Sequence, residues 1–427
     1  MLITHPSGLS CNIERLLGEG GQGEVYLASL GSKQVALKWY FPSAATREQH
    51  TTLEMLIRKG RPNDRFLWPL ELVVSQKDSG FGYIMPLREA RYKSIVDLMR
   101  GRIQPTFSSI ISAGMELAHS FLQLHTEGLC YRDISFGNVF FDPNNGEVLI
   151  CDNDNVGIDG QTPGGILGTP RFMAPEVVRG EAHPNTQTDI YSLAVLLFYL
   201  FMVHHPLEGK RETEIHCFDL PAMTHLYGSH PLFIFDPHDD SNRPVPGQQD
   251  NALLYWQLYP QFLRDLFTQA FTKGIQDPQH GRVRESEWRA ALARLRDTVF
   301  YCPQCAAENF YDDDLLSTMR TCWACKQPLN SLLWIRIGSQ VVMLNSDTHL
   351  YQHHLHPFAL YDFSKPLAEV SHHPQDKTLW GLKNLSENSW KLTTLNGDTK
   401  DVPPGRSAAI TPGARLYFGE VEGEFLS

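Results

Sequence analysis

No stretch of this sequence is long and apolar enough to span a bilayer comfortably. The longest such run, Ile190 to Val203, ends in His204-His205-Pro206 and reads as a buried core helix. The opening residues, Met1-Leu2-Ile3-Thr4-His5-Pro6, have neither a basic flank nor an apolar core of signal-peptide length. No long basic run offsets the formal net charge of -11, so the field of the molecule repels nucleic acid and anionic membrane, and neither is expected as a partner. Internal repeats and low-complexity tracts are also missing. Cysteine is scarce at 8 residues in 427, too few for a disulfide scaffold in a chain of this length. Four of them cluster late as two C-x-x-C pairs, while Cys11, Cys130, Cys151 and Cys217 are scattered. That distribution favours metal binding in a reducing compartment, with the cytoplasm as the expected location.

What is present is ample for packed cores. Hydrophobic residues make up 42% of the chain, and its length implies two or three domains. Short apolar segments with glycine turns fill residues from about 10 to 95. Val35 to Tyr40 and Gly82 to Met85 are strand candidates, and Thr46 to Lys59 carries Leu53, Leu56 and Ile57 at helical spacing. From there to about residue 300 the pattern is mainly helical, as in Ile110 to His125, Asp189 to Val203 and Ser286 to Phe300. Gly209 to Asp250 reads as a long loop with short helices. Beyond the cysteine pairs, short strands recur from Leu332 to the end.

The chemistry begins at Leu17-Gly18-Glu19-Gly20-Gly21-Gln22-Gly23-Glu24-Val25. This is a G-x-G-x-x-G-x-V loop whose glycines allow phosphates close to backbone N–H groups. A dinucleotide fold would need a helix directly afterwards; Glu24 to Ala28 reads as a second strand instead. One strand later, Lys38 closes Val35-Ala36-Leu37-Lys38, within reach of α- and β-phosphates. Its ammonium group needs a carboxylate. Glu54 is the preferred partner and Glu48 the alternative, since spacing does not decide between them.

Tyr131-Arg132-Asp133-Ile134-Ser135-Phe136-Gly137-Asn138 matches H-R-D-x-x-x-x-N except at its first position, and Val148-Leu149-Ile150-Cys151 delivers Asp152. With the glycine loop and Lys38, residues 10 to 300 resemble the eukaryotic-like Ser/Thr protein kinases of bacterial type. The resemblance implies an ATP-dependent phosphotransferase. Asp133 would orient the attacking hydroxyl, Lys38 would meet the phosphates, and Asn138 and Asp152 would hold Mg²⁺. Leu17, Gly18, Gly20, Gly23, Val25, Ala36 and Phe140 would enclose the nucleotide, with Met85 as gatekeeper and Pro86 and Arg88 in the hinge. Gly168 to Glu176 resembles the segment closing the activation region. Glu176 would pair with Arg282, and Asp189 would hold the backbone of the catalytic loop. Arg132 would face a phosphate on that segment, where Thr162 and Thr169 are the nearby threonines.

The pattern is broken in three places. Tyr131 replaces a histidine at a packing position, with little effect expected. Asn153-Asp154 replaces Phe-Gly after the metal aspartate. Ser135 stands where the family commonly places a lysine against the γ-phosphate.

Cys302-Pro303-Gln304-Cys305 and Cys322-Trp323-Ala324-Cys325, separated by sixteen residues, have the spacing of a closed tetrahedral Cys₄ site for structural Zn²⁺. The tail resembles a forkhead-associated β-sandwich in Trp380 to Ser386, Asn388, Asn396-Gly397 and Pro412 to Gly419. That family reads phosphothreonine with an early Gly-Arg, a Ser and an Asn. Within the tail no Gly-Arg stands before Ser371, so a scaffold that binds partners through other surfaces is expected. The order kinase, ribbon and tail is similar to kinases of tellurite-resistance-like systems, which implies a von Willebrand A protein and a 2C-type phosphatase as partners beside the protein substrate.

The expected fold is therefore α+β: a bilobal protein-kinase-like fold followed by a small zinc ribbon and a C-terminal β-sandwich. Its segments are 10–87, 88–300, 301–330 and 331–427. The alternative function is an ATP-binding pseudokinase scaffold that works through protein–protein contacts.

Overall fold

The computed structural model describes residues 2–4, 10–75, 80–161, 168–312, 321–329, 332–356, 358–373, 375–376 and 378–427. The chain divides into two compact units. One comprises Met1–Trp256 with Asp265–Arg289, the other Gln257–Arg264 with Ala290–Ser427.

The first unit opens with a closed antiparallel barrel in the order β1 (Leu2–Thr4), β2 (Ser10–Glu19), β3 (Gly23–Leu30), β4 (Lys33–Tyr40), β6 (Phe81–Met85) and β5 (Glu71–Ser75). Alternation sets its two faces. From β4, Val35 and Leu37 enter one apolar cluster with Cys11, Ala28, Val73 and Ile84, while Ala36 and Tyr40 enter another with Leu53, Phe81, Tyr83 and Met85. Helix α1 (Arg47–Lys59), packed here, starts at Thr46, whose side chain accepts the Gln49 N–H, and stops at Gly60 in the left-handed region.

The rest of this unit is mainly helical. Phe107–Thr126 and Thr186–Met202 are its long helices, and every residue from Thr188 to Met202 is buried. An all-round apolar helix of this kind is a core element, as the sequence pattern implies. Asn185 caps it by accepting the N–H groups of Gln187 and Thr188. The tract from Gly209 to Asp250 contains two single-turn helices, Lys210–Thr213 and Leu220–Met223, and the π turn Thr224–Ser229. The last helix of the mainly helical stretch is Glu285–Asp297. It stops short of Phe300, which lies instead in the strand Val299–Tyr301.

In the second unit two antiparallel sheets of six and four strands face each other. Ile335, Ile337 and Leu416 from one sheet and Val370, Leu382 and Ala408 from the other meet in a single core. The hairpin Val299–Tyr301 with Glu308–Phe310 carries the first cysteine pair. Phe300, Tyr311 and Leu329 share a cluster with Met343, against which Trp334 and Val341 pack. Among the described residues the ribbon shares its cluster with the first hairpin of the sandwich. Ribbon and tail fall within the same compact unit. A segment of only about 30 residues is too short to bury a separate interior. No helix among the described residues is long and apolar enough to cross a membrane.

Candidate active site

A cleft of about 570 Å³ opens in the first unit between the barrel and the helical part. It is lined by Leu17, Gly18, Gly20, Gly23 and Val25 from the β2–β3 hairpin, Ala36 and Lys38 from β4, Met85 at the end of β6 with Pro86 and Arg88 just after it, and by Phe140, Asp133 and Asp152. The turn is closed by the Gly20 N–H donating to the Gly23 carbonyl at 2.9 Å. Gly23 is required by packing, since a Cβ there would lie 2.1 Å from the Trp39 carbonyl oxygen. Arg88 spreads its guanidinium over the Phe140 ring, 4.1 Å from the centroid, and donates to the Tyr92 carbonyl.

The loop opposite is fixed by its own backbone. Asp189, buried in the central helix, accepts the N–H groups of Tyr131 (2.5 Å) and Arg132 (2.9 Å), and Arg132 takes the left-handed conformation at φ 75°. Asp133 is then held from both sides. Its Oδ1 accepts the Thr169 N–H (2.9 Å) and hydroxyl (2.8 Å), and its Oδ2 accepts Asn138 Nδ2 (3.1 Å). Because Asn138 Nδ2 also donates to the Asp133 carbonyl at 2.9 Å, the amide is oriented with its Oδ1 left to meet a cation. A backbone bond from Cys151 N to the Asn138 carbonyl ties this loop to the strand that presents Asp152.

Charge is crowded at the cleft's inner end. Burial pulls the Lys38 ammonium down, but the carboxylates of Asp154 and Asp152 outweigh it and hold the group above the ordinary lysine value. Burial raises the Asp152 carboxyl. Lys38 opposes that rise, while Asp154 and Asp133 add to it.

Behind the loop, His125 bridges Asp189, at 3.1 Å from Nε2, and Glu285, at Nδ1. Burial would lower its imidazole, but the two carboxylate hydrogen bonds prevail and raise it to about 9. Burial likewise opposes, and the His125 bond secures, a Glu285 carboxyl below its usual range. A histidine raised in the folded state stabilises fully below its unfolded value near 6.5 and loses that contribution as pH rises through about 9. The difference corresponds to roughly 3 kcal/mol. The Glu285 contribution runs the other way and is lost as pH falls through its depressed value. The unfolding free energy in urea should therefore fall between pH 6 and pH 9.5. In His125→Gln most of that slope should be gone; an unchanged slope would exclude the triad as its source.

Residues 11–251 match the protein kinase domain family. The chain belongs to the protein kinase family. It is 28% identical over 248 residues to the serine/threonine-protein kinase PknD of Chlamydia abortus, covering 48% of this chain and 25% of that protein. It is 27% identical over 309 residues to the DNA damage-responsive serine/threonine-protein kinase RqkA of Deinococcus radiodurans, covering 66% of this chain and 43% of that one. A dual serine/threonine and tyrosine protein kinase of Macaca mulatta is 26% identical over 189 residues, covering 43% and 20%. The chain thus spans less than half the length of each of these relatives.

Most residues that the kinase motifs single out come together at the cleft, but Glu54 does not. It is half exposed, lies 3.7 Å from His50, and is not part of the cleft lining. Helix geometry is the reason. Leu53 and Leu56 point inward, so Glu54 is turned about 100° away, and the inward position one turn earlier belongs to Gln49. Gln49 Nε2 donates to the Tyr40 hydroxyl and to the Asp154 carbonyl, both at 3.0 Å. Asp154, Gln49, Tyr40, Gln22 and Asn155 are site residues that motif matching passed over. An inward face at 49, 53 and 56, and the two-residue repeat of Asp152 and Asp154, were the available signals.

The departures from the kinase pattern also find their places. The Tyr131 ring is buried against Phe121 and its hydroxyl donates to the Cys151 carbonyl, so the position serves packing and also fixes the strand end that presents Asp152. Asn153 is buried and donates to the Ile150 carbonyl at 3.0 Å. Ser135 is buried outside the cleft, whose basic lining residues are Lys38 and Arg88. Arg282 donates to Glu176 at 2.6 Å, the pairing read from the sequence. Thr162 lies outside the described residues.

In the second unit the sulfurs of Cys302, Cys305, Cys322 and Cys325 lie within 4.8 Å of one another, with Cys302–Cys325 and Cys305–Cys322 both at 3.7 Å. Four thiolates placed about 2.3 Å from a tetrahedral ion would be about 3.8 Å apart, so the set fits a closed metal site. The two turns share one backbone pattern, in which Ala306 N–H donates to the Cys302 carbonyl and Lys326 N–H to the Cys322 carbonyl, both at 2.9 Å. Asn309 Nδ2 approaches Cys322 Sγ at 3.7 Å.

A further candidate group, Asp297, His353 and His354, is not suited to a metal. The Tyr351 N–H donates to His354 Nδ1 at 2.8 Å, so the ring proton sits on Nε2 and faces Asp297 at 3.2 Å.

Proposed function

We propose that this kinase transfers the γ-phosphate of ATP to serine and threonine hydroxyls of a partner protein and of itself. The observation that supports this best is the placement of Lys38, Asp133 and Asp152 around one glycine-roofed cleft, with Asn138 tied to both aspartate loops. Lys38 would meet the α- and β-phosphates, Leu17, Val25, Ala36 and Phe140 would enclose the purine, and Pro86 and Arg88 would offer it a carbonyl and an N–H. Asp133, held by Thr169 and Asn138, would orient the attacking hydroxyl and accept its proton. Mg²⁺, when bound, supplies a hard cation that neutralises phosphate charge; Asn138 Oδ1 and the Asp152 carboxylate would hold it. Serine and threonine are preferred to tyrosine because the two bacterial relatives bear serine/threonine kinase names.

The same reading assigns Zn²⁺ to the four cysteines, a reducing cytoplasmic setting to the chain, and a forkhead-associated-like role in protein contact to the sandwich. A von Willebrand A protein and a 2C-type phosphatase are the proposed associates. Asn384, in the tail segment that carries the likeness, is buried and spends its amide on the Asn388 and Val402 carbonyls, which supports scaffolding over phosphothreonine reading.

The test is incubation of the purified chain with γ-labelled ATP, Mg²⁺ and a generic basic protein. Label on serine and threonine of either protein is expected. Label confined to tyrosine, or none although nucleotide binds, would overturn the assignment.

A further inference from the structure

Lys38 is 5% exposed and must have a counter-ion where it lies. That counter-ion does not come from α1. Asp154 Oδ2 stands 2.9 Å from Lys38 Nζ and Asp154 Oδ1 stands 3.1 Å away, whereas Asp152 is at 3.6 Å. The Asp154 side chain is fully enclosed, with its Oδ2 also accepting the Tyr40 hydroxyl at 2.5 Å. Enclosure argues against a cation ligand and for a fixed partner of the lysine. The neutral Gln49 amide seals the arrangement by reaching the Tyr40 hydroxyl and the Asp154 carbonyl.

We propose that Asp154 is the positioning residue for Lys38, supplying from the metal-aspartate segment the carboxylate that α1 does not. The inference rests on the kinase reading of the cleft and gives that reading a regulatory consequence. The lysine and Asp152 are tied through one short segment, so both move together. Helix α1 meets them through the neutral hydrogen bonds of Gln49, and swinging it outward would leave the lysine paired with Asp154.

The proposal is tested on the full chain by MgATP affinity, the kcat and KM of transfer, and the melting temperature. Asp154→Asn leaves the shape but removes the charge. It should weaken MgATP binding about 10-fold and lower kcat/KM for ATP roughly 100-fold, with a loss in kcat larger than uniform binding would explain. Gln49→Glu in the Asp154→Asn background puts a carboxylate back beside Tyr40 from α1 and should restore MgATP affinity to within about 3-fold. A folded Asp154→Asn chain that binds MgATP like the unaltered protein would overturn the proposal. So would a Glu54→Gln chain that loses as much. If Asp154→Asn does not fold, the charge-relocated double variant decides. Folding with near-normal MgATP affinity supports the assignment, and failure to fold or to bind refutes it. Because affinity is read apart from transfer, a chain that binds MgATP and transfers nothing would end the kinase reading while leaving this one measurable.

Discussion

Asp133→Asn should lower kcat about 1,000-fold while changing MgATP affinity by less than about threefold. The carboxylate sits at the mouth of the cleft with both oxygens engaged. Thr169 donates twice to Oδ1 and Asn138 Nδ2 donates to Oδ2. An asparagine can satisfy the Thr169 pair with its one oxygen, so its NH₂ must take the other place. There it meets the Asn138 NH₂, donor against donor, and it can accept no proton from a substrate hydroxyl. The expected loss has two sources, the missing base and a displaced Asn138, and general acid–base catalysis alone accounts for roughly 100- to 10,000-fold. Transfer of label from ATP, measured beside a nucleotide-binding titration, separates the two quantities. Equal rates in Asp133→Asn and the unaltered chain would remove Asp133 from the chemistry.

The part of this site that could be read from the sequence is the part whose elements are short and ordered along the chain. The glycine loop, Lys38, the Asp133–Asn138 loop and Asp152 each carry their meaning within a few residues. The cleft then follows from the strand and loop that hold each one. Lys38's partner was not legible in the same way. It is 116 positions away, and a rule that looks for a carboxylate on the neighbouring helix selects Glu54 by charge when the helical face selects Gln49 by geometry. Tyr131 shows a similar limit. Its size made it a packing residue, but the hydroxyl's acceptor, the Cys151 carbonyl, exists only once the two loops are side by side. At the ribbon the cysteine spacing implied a cluster, and the four sulfurs do lie within 4.8 Å of one another. The shared interior of Phe300, Tyr311, Leu329 and Met343 was hidden because Met343, with Trp334 and Val341 packed against the cluster, comes from strands beyond the cysteines.

The cysteine cluster carries the second large expected effect, and its least buried member gives the sharpest test. Cys302 is 2% exposed and Cys322 is fully buried, so replacing either would disturb packing whether or not a metal binds. Cys305 is exposed, and an ordinary surface substitution there would cost less than about 0.5 kcal/mol. If the four thiolates hold Zn²⁺, Cys305→Ser removes one of four ligands from a site whose apparent binding energy is on the order of 10 kcal/mol or more. A loss of even about 5 kcal/mol should lower the melting temperature of a unit this size by roughly 15 °C. The purified chain should contain one zinc per molecule by elemental analysis, and Cys305→Ser should contain little. A strong chelator should shift the melting of the unaltered chain down to that of Cys305→Ser and leave the variant where it was. Were Cys305→Ser to melt with the unaltered chain, or the chelator to act on both alike, the four sulfurs would be a packed thiol cluster, and the stability of the ribbon would rest on Phe300, Tyr311, Leu329 and Met343 alone.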